Sequence, residues 1–336
     1  MKMSDEGVTL RKKKSFRGLL RDQRFLLLLL IIGIVLIVGI INPRMFDGKN
    51  WLSILSAIAV GGLLTMSMAM LLLSGGIDLS IGSIMILSGV VMSVLITGNF
   101  RGQTITAYPL PVAILIGVGV AIACGMLNGL IVSKTKCMPL IITLGMSSVY
   151  YGLALVLSGG NFLSFKLAFE PLRLAKIANV LPVILVIFFV IVIITWILVN
   201  RTKFGRRVVA IGGNEENARL SGIRVDRYKI ATYAISGLFS GIAAILYASR
   251  LDSITAGGGS GYELTALSAA IIGGVTFDGG KGTITGAFLG IVFLGLVNNA
   301  MNILGVDSYV QTIVSGAIVV IAVVISNIDN MRRKQI

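Results

Sequence analysis

Apolar residues run without a single charge through 25–41 and 181–199, matching the roughly 17 to 25 residues a helix needs to cross a bilayer. The polar positions that would mark one wet face of a helix are missing from these runs. Similar stretches fall at 51–74, 81–97, 110–132, 139–158, 230–248, 264–276, 284–303 and 309–326. The pattern predicts an all-α protein, a polytopic transmembrane helical bundle of about ten spans. An even number puts both ends on one side. Composition agrees: 56% of the 336 residues are hydrophobic and only 13% are charged, so lipid is the solvent of most of the chain.

Charge then orients the bundle. Of the 29 Lys and Arg residues, most lie ahead of residue 25, in 133–138, in 200–229 and in 332–334, all on one side of the predicted membrane. Cytoplasmic loops carry that excess. Residues 1–24 therefore read as a basic cytoplasmic segment, 25–326 as the transmembrane domain with a cytoplasmic loop at 200–229, and 327–336 as a cytoplasmic tail. Much of the net charge of +15 is topology and contact with membrane lipid, and no nucleic-acid partner is expected. The first run ends at Asn42-Pro43 without a small-residue cleavage site, so it reads as a retained span. Two cysteines and no histidine leave no disulfide framework and no metal site.

The polar loop holds a punctuated stretch at 209–224, VAIGGNEENARLSGIR. Asn214 is suited to cap a helix, Glu215 and Glu216 sit in its first turn, Arg219 lies near its end, and Gly222 supplies a left-handed stop. The expected two-turn helix has a small apolar patch of Ala218, Leu220, Ile211 and Ile223. Such a patch suits either a groove on another protein or the membrane surface.

Two segments interrupt the apolar pattern. In LLLSGGIDLSIGS, Gly75-Gly76 and Asp78-Leu79-Ser80 break one stretch; in GGVTFDGGKGTITG, Gly273-Gly274, Asp278, Gly279-Gly280 and Lys281 break another. Each reads as a tight hairpin or as a re-entrant break, and their loose similarity is of the kind an internal duplication leaves. Asp278 and Lys281 are expected to pair locally. Ionisable groups at membrane depth usually face a cavity or a partner. Asp78 and Glu263 are therefore candidates for a translocation path with Ser80, although a carboxylate beside a helix start also serves as a cap. Asn128, Asn298 and Asn302 form amide positions suited to helix-to-helix hydrogen bonds or to a hydrated path. Gly117, Ala121 and Gly125, and Gly237 with Gly241, have the spacing of close helix contacts. The GGKGT stretch fails as a phosphate loop, because Val275 and Gly282 stand where Gly and Ser or Thr are required. No nucleophile, base or metal constellation is present, so the chain is not expected to be an enzyme.

The segments GGIDLSIGS, VAIGGNEENARLSGI, GYELTALSAAIIGGVTFDGGKGTITG and GLVNNAMNILGV occur in this order. Together they resemble the permease subunit of ribose-type bacterial ABC importers, the sugar branch that includes xylose, galactose, allose and autoinducer-2 permeases. The resemblance covers about residues 25–326. It implies a multi-pass protein of the bacterial cytoplasmic (inner) membrane that translocates a monosaccharide, a ribose-like pentose or a hexose. It also implies a second permease copy or homologue, ABC ATPase subunits and an extracytoplasmic solute-binding protein as partners. This chain would bind no cofactor; ATP and Mg would sit in the ATPase subunits. Residues Gly212, Gly213, Asn214, Glu215, Glu216, Asn217, Ala218, Arg219, Leu220, Ser221 and Gly222 would form the coupling helix docked on the ATPase. Asn217 stands where the family commonly has alanine. The rival reading is an ion-coupled secondary transporter of a small polar solute, with Asp78 or Glu263 as its ion site.

Overall fold

The computed structural model describes residues 23–135 and 137–334, so the expected basic segment 1–24 lies outside it apart from Gln23 and Arg24. Among the described residues the regular structure is helical apart from three short antiparallel strand pairs. In order it forms α1 (Gln23–Ile41), α2 (Gly48–Leu73), α3 (Ile81–Thr97), a hairpin of β1 (Asn99–Phe100) and β2 (Gln103–Thr104), α4 (Leu110–Thr135) and α5 (Pro139–Ser158). Then come β3 (Leu163–Ser164), α6 (Glu170–Leu174), β4 (Lys176–Ile177), β5 (Leu181–Pro182), α7 (Val183–Arg201), α8 (Lys203–Gly213) and α9 (Glu215–Leu220). The chain closes with α10 (Val225–Leu251), β6 (Ser253–Ile254), α11 (Tyr262–Ile272), α12 (Ile284–Ile303) and α13 (Ser308–Lys334).

Among the described residues seven helices are long and apolar enough to cross a membrane: α1, α2, α4, α5, α7, α10 and α12; α3 is apolar but shorter. Helices α1, α3, α5, α7 and α12 fall within two residues of the runs read from hydropathy. The run expected at 264–276 does not form a span. Helix α11 has 11 residues and rises only about 16 Å, roughly half of a hydrocarbon core of about 30 Å. The chain just before it, 255–261, is not α-helical and includes a 3-10 turn at Ala256–Gly259.

Helices α7 and α10 flank the α8–α9 loop, so that loop defines one face of the bundle. On the opposite face β3 pairs with β6, joining the ends of α5 and α10. The Gln23 side chain donates to the Ile272 carbonyl at 3.0 Å, which places the start of α1 on the loop face, beside the end of α11.

Helix α2 forms the centre, buried without interruption from residue 58 to 73 and packed against α7, α10, α11 and α12. Helices α4 and α10 pack backbone to backbone. A Cβ at Gly125 would overlap the Tyr233 carbonyl and one at Gly237 the Ala121 carbonyl, which is why small residues recur at four-residue spacing here. Large apolar side chains such as Leu30, Leu115 and Ile193 are exposed on the bundle's outside, as a lipid-facing surface requires.

Candidate coupling loop and translocation site

The polar loop folds as two helices rather than one. Residues 209–213 belong to the end of α8, and α9 has six residues, short of the two turns expected. Asn214 caps α9, its Oδ1 accepting the Asn217 N–H at 2.8 Å, and Gly222 takes a left-handed φ of 79°. Both features follow from the sequence. Glu215 accepts hydrogen bonds from Lys229 and from Arg219, and Arg219 also reaches Asp226 at 3.2 Å. Burial alone would push the Glu215 carboxyl upward, but the bonds from Lys229 and Arg219 outweigh it and hold it below the usual carboxylate range.

The apolar patch expected on this loop is corrected by the fold. Ile211 and Ala218 turn inward against Val225, Ile223 and Tyr228, because a six-residue helix gains stability only by burying its own apolar side. Leu220 alone is presented outward, at 81% exposure. Around it lie exposed Gly213, Asn214, Glu216, Asn217, Ser221 and Gly222.

The end of α8 is seated on both breaks of the apolar pattern. A Cβ at Gly212 would overlap the Leu73 carbonyl and lie 2.7 Å from the Gly280 nitrogen. The Gly280 N–H in turn donates to Leu73 O at 3.2 Å. The segment between α11 and α12 is therefore a hairpin at the loop face, closed by the Thr276 N–H donating to Lys281 O at 3.0 Å. Among the described residues no ion pair joins Asp278 and Lys281; both are exposed. The break after α2 combines the two forms read from the sequence. The chain reverses at Gly75, whose φ is 74°, and then climbs without helix to the start of α3. The Leu79 N–H meets Thr143 Oγ1 at 3.1 Å and Ser83 Oγ meets Ser147 Oγ at 2.9 Å, so α3 begins about a third of the way along α5.

Asp78, Ser80 and Asn128 come together, but inside the protein. All three are fully buried. Asp78 accepts the Ser80 N–H at 2.9 Å and the Ser80 hydroxyl at 2.5 Å. It thus does not cap the amides of α3, the alternative role its position suggested. Asn128 Nδ2 donates to Ser80 Oγ at 2.7 Å and approaches both Asp78 oxygens, while Tyr150 donates to Asn128 Oδ1 at 2.9 Å. This network ties α4 and α5 to the break. Asn298 and Asn302 are exposed and accept from Ser315 and Gln311 of α13; their neighbour Asn299 exchanges two hydrogen bonds with Asn50. These bonds link α12 to α13 and to α2.

Glu263 is placed differently. It lies in the first turn of α11, where Oε1 accepts the Gly261 N–H at 3.0 Å, and it lines a cavity of about 290 Å³. Ser83, Ser147, Ser148, Tyr151 and Ser260 line the same space. None of these five was singled out from the sequence. The one available signal was the polar cluster in GMSSVYYG, within an otherwise apolar span.

A helical bundle with broken helices and a polar cavity beside them defines a multi-pass membrane permease. Comparison with known proteins gives the family. The family described as "Branched-chain amino acid transport system / permease component" matches residues 50–323, and the chain belongs to it. It is 36% identical over 295 residues to the ribose import permease protein RbsC of Bacillus subtilis (strain 168), covering 87% of this chain and 89% of that protein. It is 33% identical to the D-allose transport system permease protein AlsC of Escherichia coli (strain K12), over 94% of this chain and 95% of that one. The galactose/methyl galactoside import permease protein MglC of the same strain is 31% identical, over 96% and 98%. No solved structure matches the chain.

Proposed function

We propose that this chain is the sugar-translocating permease subunit of a binding-protein-dependent ABC importer. The family description names branched-chain amino acids, but relatives matching almost the whole chain carry names of three different monosaccharide systems. A ribose-like pentose or a hexose is the solute class this favours. The partners are two ATPase subunits, a second permease and an extracytoplasmic binding protein, in the bacterial inner membrane. The loop face is cytoplasmic, in keeping with its Lys and Arg excess. Ten crossings then follow, with α3 as one and the 255–272 segment as a composite of loop and half-helix.

The observation that carries the mechanism is the seat of Gly212 against Leu73 and Gly280. Helix α9 docks in a cleft of the ATPase through Leu220 and its polar rim. Closure of the ATPases displaces α8 and α9, and backbone contact passes that displacement to both breaks. The ends of α2, α3, α11 and α12 shift with them. The two states differ in these contacts, as a coupled transition requires. This chain makes and breaks no covalent bond.

Leu220→Asp tests the reading cleanly, because Leu220 is exposed and its change leaves the fold intact. Purified complexes carrying Leu220→Asp or Gly213→Pro are expected to lose substrate-stimulated ATPase activity and uptake. Full retention of both would show that coupling runs elsewhere. Uptake by this chain alone on an ion gradient, abolished by an uncoupler, would replace the reading with a secondary transporter.

A further inference from the structure

The cavity at Glu263 lies at a depth where its surroundings constrain what it faces. Helix α5 has 20 residues and rises about 30 Å. Ser147, Ser148 and Tyr151 sit near its middle, about 12 to 18 Å from its start. The opposite wall is chain 255–261, which enters from the β3–β6 end and descends beside α3 and α5. A Cβ at Gly82 would lie 2.8 Å from Glu263 Oε2 and would overlap the Gly259 carbonyl, so this chain reaches the level of Ser83 and Ser147. Its backbone is irregular there, and Gly257 and Ser260 are exposed.

Lipid cannot cover such a wall. Irregular backbone at membrane depth survives only against protein or water, since each unsatisfied polar group in hydrocarbon costs several kcal/mol. A carboxylate in the same wall strengthens the argument. The side of α5 that carries the cavity also exposes Ser148 and Tyr151, unlike the aliphatic outer faces of α1 and α7.

We infer that Ser83, Ser147, Ser148, Tyr151, Ser260 and Glu263 form a hydrated station for a neutral polyhydroxylated solute midway along the translocation path. The chemistry fits that class. Glu263 accepts hydrogen bonds from vicinal hydroxyls, the serine hydroxyls both donate and accept, and the Tyr151 ring offers an apolar face to a sugar's C–H surface. Among the described residues no cation lines the space to draw in an anion. Its volume of about 290 Å³ falls just below the roughly 300 to 1,000 Å³ of drug-sized sites, a size that suits one sugar ring. This assignment rests on the permease reading above, and it replaces Asp78, Ser80 and Asn128 as the solute-contacting groups, since those are sealed inside the network with Tyr150.

The test uses the complete importer in liposomes, with Cys124→Ala and Cys137→Ser as background. Ser148→Cys and Ser260→Cys are expected to react with a charged, membrane-impermeant methanethiosulfonate about tenfold or more faster than Ile193→Cys on the lipid face, a difference of about 1.4 kcal/mol. Equal slow rates at all three positions would overturn the station, because the wall would then face lipid or be sealed. In the same liposomes, Glu263→Gln is expected to lower D-ribose, D-galactose or D-allose uptake about ten- to a hundredfold, the loss of a charge-assisted hydrogen bond. ATPase activity stimulated by the binding protein is retained. Wild-type uptake by both Glu263→Gln and Ser147→Ala would equally overturn the proposal. If the unmodified importer moves no sugar, the permease reading falls instead, and the labelling rates still decide whether the wall is wet.

Discussion

The Cα of Gly212 rests so closely on the carbonyl oxygen of Leu73 that a methyl group at Gly212 would overlap that oxygen. Two residues far apart in sequence thus place the α8–α9 loop in backbone contact with the end of the central helix. Its neighbour Gly213 has nothing within 4 Å of where a Cβ would stand.

This contrast predicts opposite outcomes for adjacent alanines. Gly212→Ala overpacks the junction and costs about 1 to 3 kcal/mol, read as a lowered melting temperature and as ATPase activity uncoupled from uptake. Gly213→Ala leaves both unchanged or raises stability by roughly 0.5 to 1 kcal/mol through the backbone entropy of the unfolded chain. Thermal melts and coupled uptake assays on the two variants separate the effects.

The network around Asp78 predicts a graded series. Asn128→Leu removes the donor to Ser80 and the acceptor of the Tyr150 hydroxyl together, leaving buried partners unmade at about 1 to 3 kcal/mol each. Tyr150→Phe removes only the hydroxyl and costs less. Melting of the solubilised protein gives the order; an Asn128→Leu variant as stable as Tyr150→Phe would contradict the assigned bonds.

Asn298 and Asn302 are bonded to α13, away from the cavity. Asn298→Ala and Asn302→Ala are expected to leave the KM for sugar uptake unchanged. Asn299→Leu breaks the reciprocal pair with Asn50 and costs about 0.6 to 2 kcal/mol in stability. A large KM change in the first two, measured in vesicles, would place the path beside them.

Glu215 gives a pH prediction. Its carboxyl is held below the usual range by Lys229 and Arg219, with burial opposing them. A depressed folded value means the contribution is complete above the unfolded value, about 4.3, and is lost as pH falls through the lower folded one. Asp226, which shares Arg219, faces the same cluster and keeps the cation in place. A spin label on Leu220→Cys should therefore report an unchanged loop from about pH 8 to about pH 5, whereas Glu215→Gln loosens it throughout.

Much of this protein is legible from local information. The bilayer as solvent, the bounds of α1, α3, α5, α7 and α12, the Asn214 cap and the Gly222 stop all depend on residues within a few positions of one another. The α4–α10 packing was also readable, because small residues at four-residue spacing mark a helix face before its partner is known.

What remained hidden depends on pairs that only folding brings together. Nothing in the run 264–276 shows that its helix would end at Ile272 after only 11 residues, because hydropathy counts apolar residues and not the positions at which a helix begins and ends. The polar side chains singled out at Asp78 and Asn128 proved to satisfy each other, whereas Ser147 and Ser148, marked only by the short polar cluster they share, line open space. Polarity is written in the sequence; whether a polar group meets a partner, lipid or water is decided by what packs against it. For this chain, local sequence sufficed for the solvent, for the helices whose apolar runs match their length, and for the loop's caps. The tertiary structure decided which glycines touch and which hydroxyls face the cavity.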